Sequence, residues 1–465
     1  MSDQTSAEVR GAPATSLEAT AAKGRLALKT VATIALLEAT LPLNLTLVGV
    51  AVVRRGLGAR PLAPRPTSAS TSTSARQTVL ISGGKMTKAL VLARLFHAAG
   101  HRVVLVETAR YRLTGHRFSN AVDAFHVVPD PTSPDYADAL LRIVEDEGVD
   151  VWVPVSSPAS SLPEAQAAER LEEHCEVVHL DTDTLRRVDD KHAFAEMAAA
   201  IDLPVPATHR ITDPQQVLDF DFASHPGPWV LKSIPYDPVR RLDLTPLPRP
   251  TPAETAAFVA DLPISPEQPW ILQELLVGTE WCTHGTARAG RVQVWACCRS
   301  SAWQLTYEQV EHPAIRAWVE AFVAAYDLTG QVSFDFMEDA DGVVRAIECN
   351  PRTHSAITLL AGRPEVAAAY LDDDAEPVAP PVGGRPTYWL HHELWQALRH
   401  PATAPGRLRT IARGTEAVLD GRDPLPFLAL HHLHLPSLLW QNLRTGRPWT
   451  KVDVNIGKLV EPGGD

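Results

Sequence analysis

The chain has 465 residues, 45% apolar and 21% charged, which is enough for two or three domains with real cores. Its formal net charge of −12, with no long basic run or stripe to offset the acidity, excludes bulk nucleic-acid binding. The five cysteines (Cys175, Cys282, Cys297, Cys298, Cys349) are odd in number and form no CxxC pair, which argues against a disulfide framework or a zinc site and fits a reducing cytosol.

Thr30 to Val53 is largely apolar and is followed by Arg54 and Arg55, but Glu38, Pro42 and Asn44 interrupt it. A spanning helix wants roughly 20 apolar residues with few charges, and a central Glu is costly in lipid. The expectation is therefore a helix packed on protein or a peripheral membrane contact through 30–53, on a chain that is otherwise cytoplasmic. A secretory signal is disfavoured because the apolar stretch starts late and lacks a small-residue cleavage site. Residues 58–77 are rich in Pro, Ser and Thr and read as a flexible linker.

From Thr78 the pattern alternates. Strand Thr78–Ser82 ends in Gly83-Gly84, a helix runs from Met86 to Ala99, and a strand covers His101–Glu107. Strand Phe125–Val128, helix Tyr136–Glu147, strand Val151–Val155, helix Glu164–Glu173 and strand Glu176–Leu180 follow. This rhythm predicts an open, mostly parallel sheet with ligands at the carboxyl ends of its strands. After Asp189 the style changes: helix Lys191–Ala200, strands Trp229–Lys232, Trp270–Glu274 and Gln293–Cys298, helix Ala314–Tyr326, then a hairpin from Gln331 to Asn350. Beyond about residue 385 helices are expected, Trp389–Arg399 most clearly.

The hairpin carries the chemistry. Asp341-Gly342 signals a two-residue type I′ turn. Counting outward pairs Phe336 with Ile347, Asp335 with Glu348, Phe334 with Cys349 and Ser333 with Asn350. Side chains alternate faces along a strand, so one face is apolar and the other carries Ser333, Asp335, Glu348 and Asn350. Opposed carboxylates are destabilising without a cation or proton between them. Two carboxylates and an amide oxygen suit Mg²⁺ held together with nucleotide phosphates, and Arg352 would reach the oxygens that the metal also holds.

A strand ending in an acid, a turn, and an apolar-Glu-x-Asn-Pro-Arg run resemble the metal-binding end of the ATP-grasp family of ligases. The resemblance implies an ATP-grasp fold, α/β and α+β, behind an N-terminal Rossmann-like pre-ATP-grasp domain. It implies ATP with one or two Mg²⁺ (or Mn²⁺) on Asp335, Glu348 and Asn350. It also implies two phosphate-binding lysines, matched by Lys191 and Lys232, and an adenine hinge, matched by Gln273, Glu274 and Leu276, with Glu280 accepting from the ribose. The family's glycine-rich lid is replaced by a glycine-free stretch in which Arg240 or Arg241 would supply charge to the transferring phosphate. Gly83-Gly84-Lys85 lacks P-loop spacing and suits an acceptor site better. His354 would orient or deprotonate an amine, or be a loop histidine with a structural hydrogen bond. The implied division is an N-terminal segment and linker (1–77), a pre-ATP-grasp domain (78–185), an ATP-grasp domain of two subdomains (186–385) and a helical extension (386–465).

A narrower resemblance lies in ISGGKMTKAL (81–90), FHAAGHRVVLVET (96–108), GHRFSNAVD (115–123) and IECNPRTHSAI (347–357). These strings are similar to the mycosporine-glycine synthases, ATP-grasp ligases of mycosporine-like sunscreen biosynthesis. That similarity implies a cyclohexenone acceptor, 4-deoxygadusol, whose enol oxygen is phosphorylated before glycine couples to it. A carboxylate–amine ligase of the same fold is the alternative. Further from both stand a regulatory nucleotide-binding module and a membrane-anchored scaffold. A homo-oligomer is compatible with all of these.

Overall fold

The computed structural model describes residues 16–56, 76–225, 227–235, 237, 240, 243–300 and 305–462. The expected linker, apart from residues 76 and 77, and Arg241 of the expected lid lie outside them.

The first layer is a parallel sheet ordered β3-β2-β1-β4-β5, built from β1 (Thr78–Ile81), β2 (Arg102–Thr108), β3 (Ala124–Val128), β4 (Val151–Val153) and β5 (Glu176–Val177). Its central strands are continuous apolar runs because helices cover both faces. The strand order reverses at β1, so the crevice at its carboxyl end is the switch point where open α/β sheets bind ligands. Gly83 sits there with φ +68, and a Cβ on it would lie 2.1 Å from the Val155 carbonyl oxygen, so only glycine permits the turn.

Two antiparallel sheets follow. One is ordered β6-β8-β7, from β6 (Thr208–Ile211), β7 (Trp229–Ser233) and β8 (Trp270–Glu274). Strands β9 (Thr279–Arg288) and β10 (Arg291–Arg299), then β11 (Thr306–Tyr307), precede β12 (Gly330–Glu338) and β13 (Val344–Asn350). β9, β10, β12 and β13 make the second sheet, ordered β10-β9-β12-β13. Its apolar face packs Phe334 and Phe336 against Phe194, Trp318 and Phe322 from helices Lys191–Ala199 and Pro313–Ala325. β11 joins β14 (Thr387–Tyr388) and β15 (Thr415–Glu416) in a small third sheet.

The hairpin register needs a correction. Asp335 pairs with Glu348, Phe334 with Cys349 and Ser333 with Asn350, but Phe336 pairs with Ala346 across a bulge, leaving Ile347 unpaired. The turn is not type I′, which would need positive φ at both central residues. Only Gly342 has it (φ +78), and the turn closes from Gly342 N–H to the Asp339 carbonyl at 3.1 Å. The wider turn and the bulge shift the register by one residue each in opposite senses. The carboxylate pairing therefore comes out where the two-residue turn placed it.

The C-terminal region folds back on the first sheet. Asp423, fully buried, accepts from Arg94 Nε (2.8 Å), Ser119 Oγ (2.6 Å) and the Asn120 N–H (2.8 Å). Asp423→Ala leaves Arg94 as an uncompensated charge, and a denaturant titration should show a loss of about 3–5 kcal/mol.

Candidate active site

The strand alternation that buries Phe334 and Cys349 turns Asp335 and Glu348 to the opposite face, at the end of the β12–β13 ladder. Asn350 Nδ2 donates to Asp335 Oδ2 at 3.1 Å and to Glu348 Oε1 at 3.4 Å. Its amide oxygen accepts from Arg352 Nη2, and Arg352 also lies 3.7 Å from Asp189. The Asn350 amide thus presents its positive end to two carboxylates, as a cation would. Burial, and then the neighbouring Glu348, push Asp335 well above the usual carboxylate range. Burial would raise Glu348 too, but Lys191 and Lys232 outweigh it and hold Glu348 at about 2. Two carboxylates pushed in opposite directions by their surroundings share a single proton until a cation takes its place. Among the described residues no cluster of three or more His, Cys, Asp or Glu could hold a metal ion. The donor set present, two carboxylates and an amide, is an incomplete shell of hard oxygens that phosphate oxygens and water would fill, and so it fits Mg²⁺ better than a protein cage would.

The structure brings both lysines to this pair. Asp190 caps the helix Lys191–Ala199, accepting from His192 N–H (2.9 Å) and Ala193 N–H (3.1 Å). That cap starts the helix at Lys191, whose Nζ lies 3.7 Å from Glu348 Oε2. Lys232, on β7, donates to Gln273 Oε1 on β8 at 3.0 Å. Burial lowers the Lys232 pKa, and Glu348, Asp335 and Glu280 are among the acids that oppose the shift. Glu280, beside Met337 in the sheet, accepts from Ser300 Oγ at 2.8 Å. In the hinge the N–H of Glu274 donates to the Ala207 carbonyl (2.9 Å) and that of Leu275 to the Pro228 carbonyl (2.8 Å). Both are engaged within the protein, and Leu276 follows them. Arg240 is not brought to the carboxylates: its described partner is Asp237, at 3.3 Å.

His354 caps the turn Ser355–Leu360, its Nδ1 accepting from the Ala356 N–H at 3.2 Å. Its own N–H donates to His284 Nδ1 at 3.3 Å. Burial first, then Lys88, lowers its pKa to about 3. With Nδ1 an acceptor, the neutral ring carries its proton on Nε2.

Lys88 was not legible as a site residue. It is buried at the start of helix Thr87–Ala98, and its Nζ donates to the carbonyl of Thr353, three residues past Asn350, and to that of Ser156 at 3.5 Å. Burial first, then Arg352, lowers its pKa to about 7. The signal was its spacing with Val91, Leu92 and Leu95, which puts a lysine on the apolar stripe, where lysines are almost never fully buried unless paired. Lys85, expected at an acceptor site from the Gly83-Gly84-Lys85 string, has neighbours that the sequence did not indicate. Lys85 Nζ sits 4.3 Å over the Tyr111 ring. His116 is buried with Nε2 unpartnered, and His434, from the C-terminal region, is buried against Tyr111 with both ring nitrogens unpartnered.

No protein-family model matches the sequence, and no curated protein matches it. Solved structures do resemble the fold. The ADP complex of PurK, an N5-carboxyaminoimidazole ribonucleotide synthetase, aligns with TM-score 0.52 at 15% identity, over 71% of this chain and 86% of that one. The biotin carboxylase domain of a single-chain bacterial carboxylase aligns with TM-score 0.50 at 18% identity, over 65% and 68%. The chain shares the fold of these structures, the ATP-grasp fold that the sequence led us to expect.

Proposed function

We propose that the chain is an ATP-dependent ligase in which Asp335, Glu348 and Asn350 hold Mg²⁺ against the phosphates of ATP. The observation that carries this is the opposed Asp335–Glu348 pair facing Lys191, with Lys232 and Arg352 near enough to lower the Glu348 pKa as well. Opposed carboxylates that must otherwise share a proton are a site that a divalent cation can take over. The ADP complex of the PurK neighbour supports a nucleotide in this cleft.

When bound, Mg²⁺ would neutralise charge that develops on the phosphates. Lys191 and Lys232 bind phosphate oxygens. The Asn350 amide, which now turns its NH₂ to the carboxylates, rotates to offer its oxygen, and this frees Arg352 for the transferring phosphoryl group. The Glu274 carbonyl and Leu276 N–H are left for the adenine edge, and Glu280 exchanges Ser300 for a ribose hydroxyl. Arg240 reaches the phosphate only if its segment closes and leaves Asp237. Lys232→Met should raise KM for ATP about 10–100-fold in a steady-state assay, because it removes a charged hydrogen-bond donor.

The acceptor lies at the Gly83-Gly84 turn, the switch point of the first sheet. Its enolate oxygen pairs with Lys88, attacks the γ-phosphorus, and the β–γ bridging bond breaks to release ADP. The amine then adds to the carbon bearing the phosphate, loses a proton, and expels inorganic phosphate. His354, neutral with its proton on Nε2, orients a reactant as a donor and does not deprotonate the amine. Sequence strings 81–90, 96–108, 115–123 and 347–357 support 4-deoxygadusol as acceptor and glycine as amine. An enolised 1,3-diketone is a vinylogous carboxylic acid, so carboxylate–amine ligation is the second reading, with the same metal and nucleotide residues.

Incubating the protein with Mg-ATP, 4-deoxygadusol and glycine tests this. One ADP per glycine adduct is the expected result. ADP released only with carboxylic acids would leave the second reading standing, and no nucleotide turnover with any acceptor would reject both.

A further inference from the structure

The helices Ser16–Ala39 and Leu41–Gly56 form one kinked apolar rod, broken at Thr40 ahead of Pro42, and Thr20–Arg54 is long and apolar enough to cross a membrane. Polar latches instead fix it along the side of the protein. Lys29 Nζ donates to the carbonyls of Trp449 (3.0 Å) and Thr450 (3.1 Å). Trp449 Nε1 donates to Thr30 Oγ1 (2.9 Å). Asn44, fully buried, meets His432 Nε2 at 2.9 Å and His391 Nε2 at 3.2 Å. A rod latched at Lys29 and Thr30 to the segment Trp449–Thr450 and at Asn44 to two C-terminal helices lies along that region and does not leave it to span.

Its other side is bare. Among the described residues the large exposed apolar side chains concentrate in two places, residues 28–53 and residues 394–440, and Leu36, Val53, Trp395, Leu398 and Trp440 are all about half exposed or more. The two places adjoin. His391, which meets Asn44, shares a helix face with Trp395 and Leu398 at i+4 and i+7, and helix Leu435–Thr445, which carries Trp440, packs on the rod. Charge follows the same outline. Residues 20–56 and 390–413 hold nine Lys and Arg against two acids, Glu38 and the buried Glu393, which pairs with Arg407 at 3.1 Å, in a chain of net charge −12. Glu38 itself lies 3.5 Å from His432.

We propose that this face docks the protein in the plane of an anionic lipid bilayer, with the rod and helix Leu390–Arg399 in the headgroup layer and Arg399, Arg409 and Arg413 on lipid phosphates, Arg407 being held by Glu393. Tryptophan at the interface and arginine beside apolar side chains are what such a layer accepts. The reading is independent of the reaction: it sets where the protein works.

Vesicle flotation of the full chain tests it. The protein should float with phosphatidylcholine–phosphatidylglycerol vesicles, stay below pure phosphatidylcholine vesicles, and leave the anionic ones in alkaline carbonate. Arg409→Glu with Arg413→Glu, both on an exposed helix, should lower the bound fraction about tenfold or more with an unchanged melting curve. Trp395→Ser with Leu398→Gln should lower it as well. Three results would each overturn the proposal: no flotation with either vesicle, resistance to alkaline extraction, which means a span, or a dimer in light scattering that these substitutions dissociate without any lipid binding.

Discussion

Glu348→Gln should lower ATP turnover by about a thousandfold or more while the fold holds. A carboxylate that binds a catalytic metal contributes several kcal/mol of charge stabilisation to phosphoryl transfer, and each 1.36 kcal/mol is a factor of ten. The substitution is nearly isosteric, and it removes the carboxylate that faces Lys191 at 3.7 Å. Melting should therefore fall only slightly, because a partly exposed ion pair contributes about 1 kcal/mol or less. This separates a lost metal ligand from a damaged hairpin. Turnover within tenfold of the unaltered chain would mean that the carboxylate pair is not the metal site.

Lys88→Met should lower kcat/KM for the acceptor by about a hundredfold or more and leave KM for ATP nearly unchanged. Two carbonyls already hold the ammonium between the first sheet and the segment after Asn350, which leaves it an N–H for an acceptor oxygen. Loss of a charged hydrogen bond made in a water-poor site is worth about 2.7–4 kcal/mol in comparable catalytic positions. The pH profile adds a readout that a packing role would not move. Burial lowers the Lys88 pKa to about 7. The free protein therefore holds the charged form below that value and loses it above, and kcat/KM for the acceptor should fall as pH rises through about 7. In Lys88→Met this falling limb should disappear. A profile that rises through the same range, or a limb that persists in the variant, would remove Lys88 from the acceptor site.

The sequence was legible where local rules act alone. The carboxylate face of the hairpin follows from period-two alternation, and the family resemblance pointed to Lys191, which the Asp190 cap holds at the start of its helix. The alternating strands and helices of 78–177 matched the five strands of the parallel sheet, though not their order. What it concealed was made by long-range contact. The bulge at Phe336 pairs Ala346 where Ile347 was expected, and nothing local marks it. His434 joins Lys85, Tyr111 and His116 from more than three hundred residues away, and its residue type alone gives no hint of that company. The apolar segment after Thr30 raised the right question, span or surface, but the polar latches on Lys29, Thr30 and Asn44 have partners that only the folded chain supplies. The orientation of the Asn350 amide, with its NH₂ on the carboxylates, could not be read from an Asn-Pro-Arg string either.

The central claim is that an oxygen of the acceptor is activated by phosphorylation on this site. Labelling the enol and keto oxygens of the acceptor with ¹⁸O and recovering inorganic phosphate after coupling to glycine tests it most directly. One ¹⁸O is expected in each phosphate released, because the activated oxygen departs with phosphorus. Unlabelled phosphate formed alongside the glycine adduct would contradict it, since the acceptor oxygen would then have left without ever being bonded to the γ-phosphoryl group.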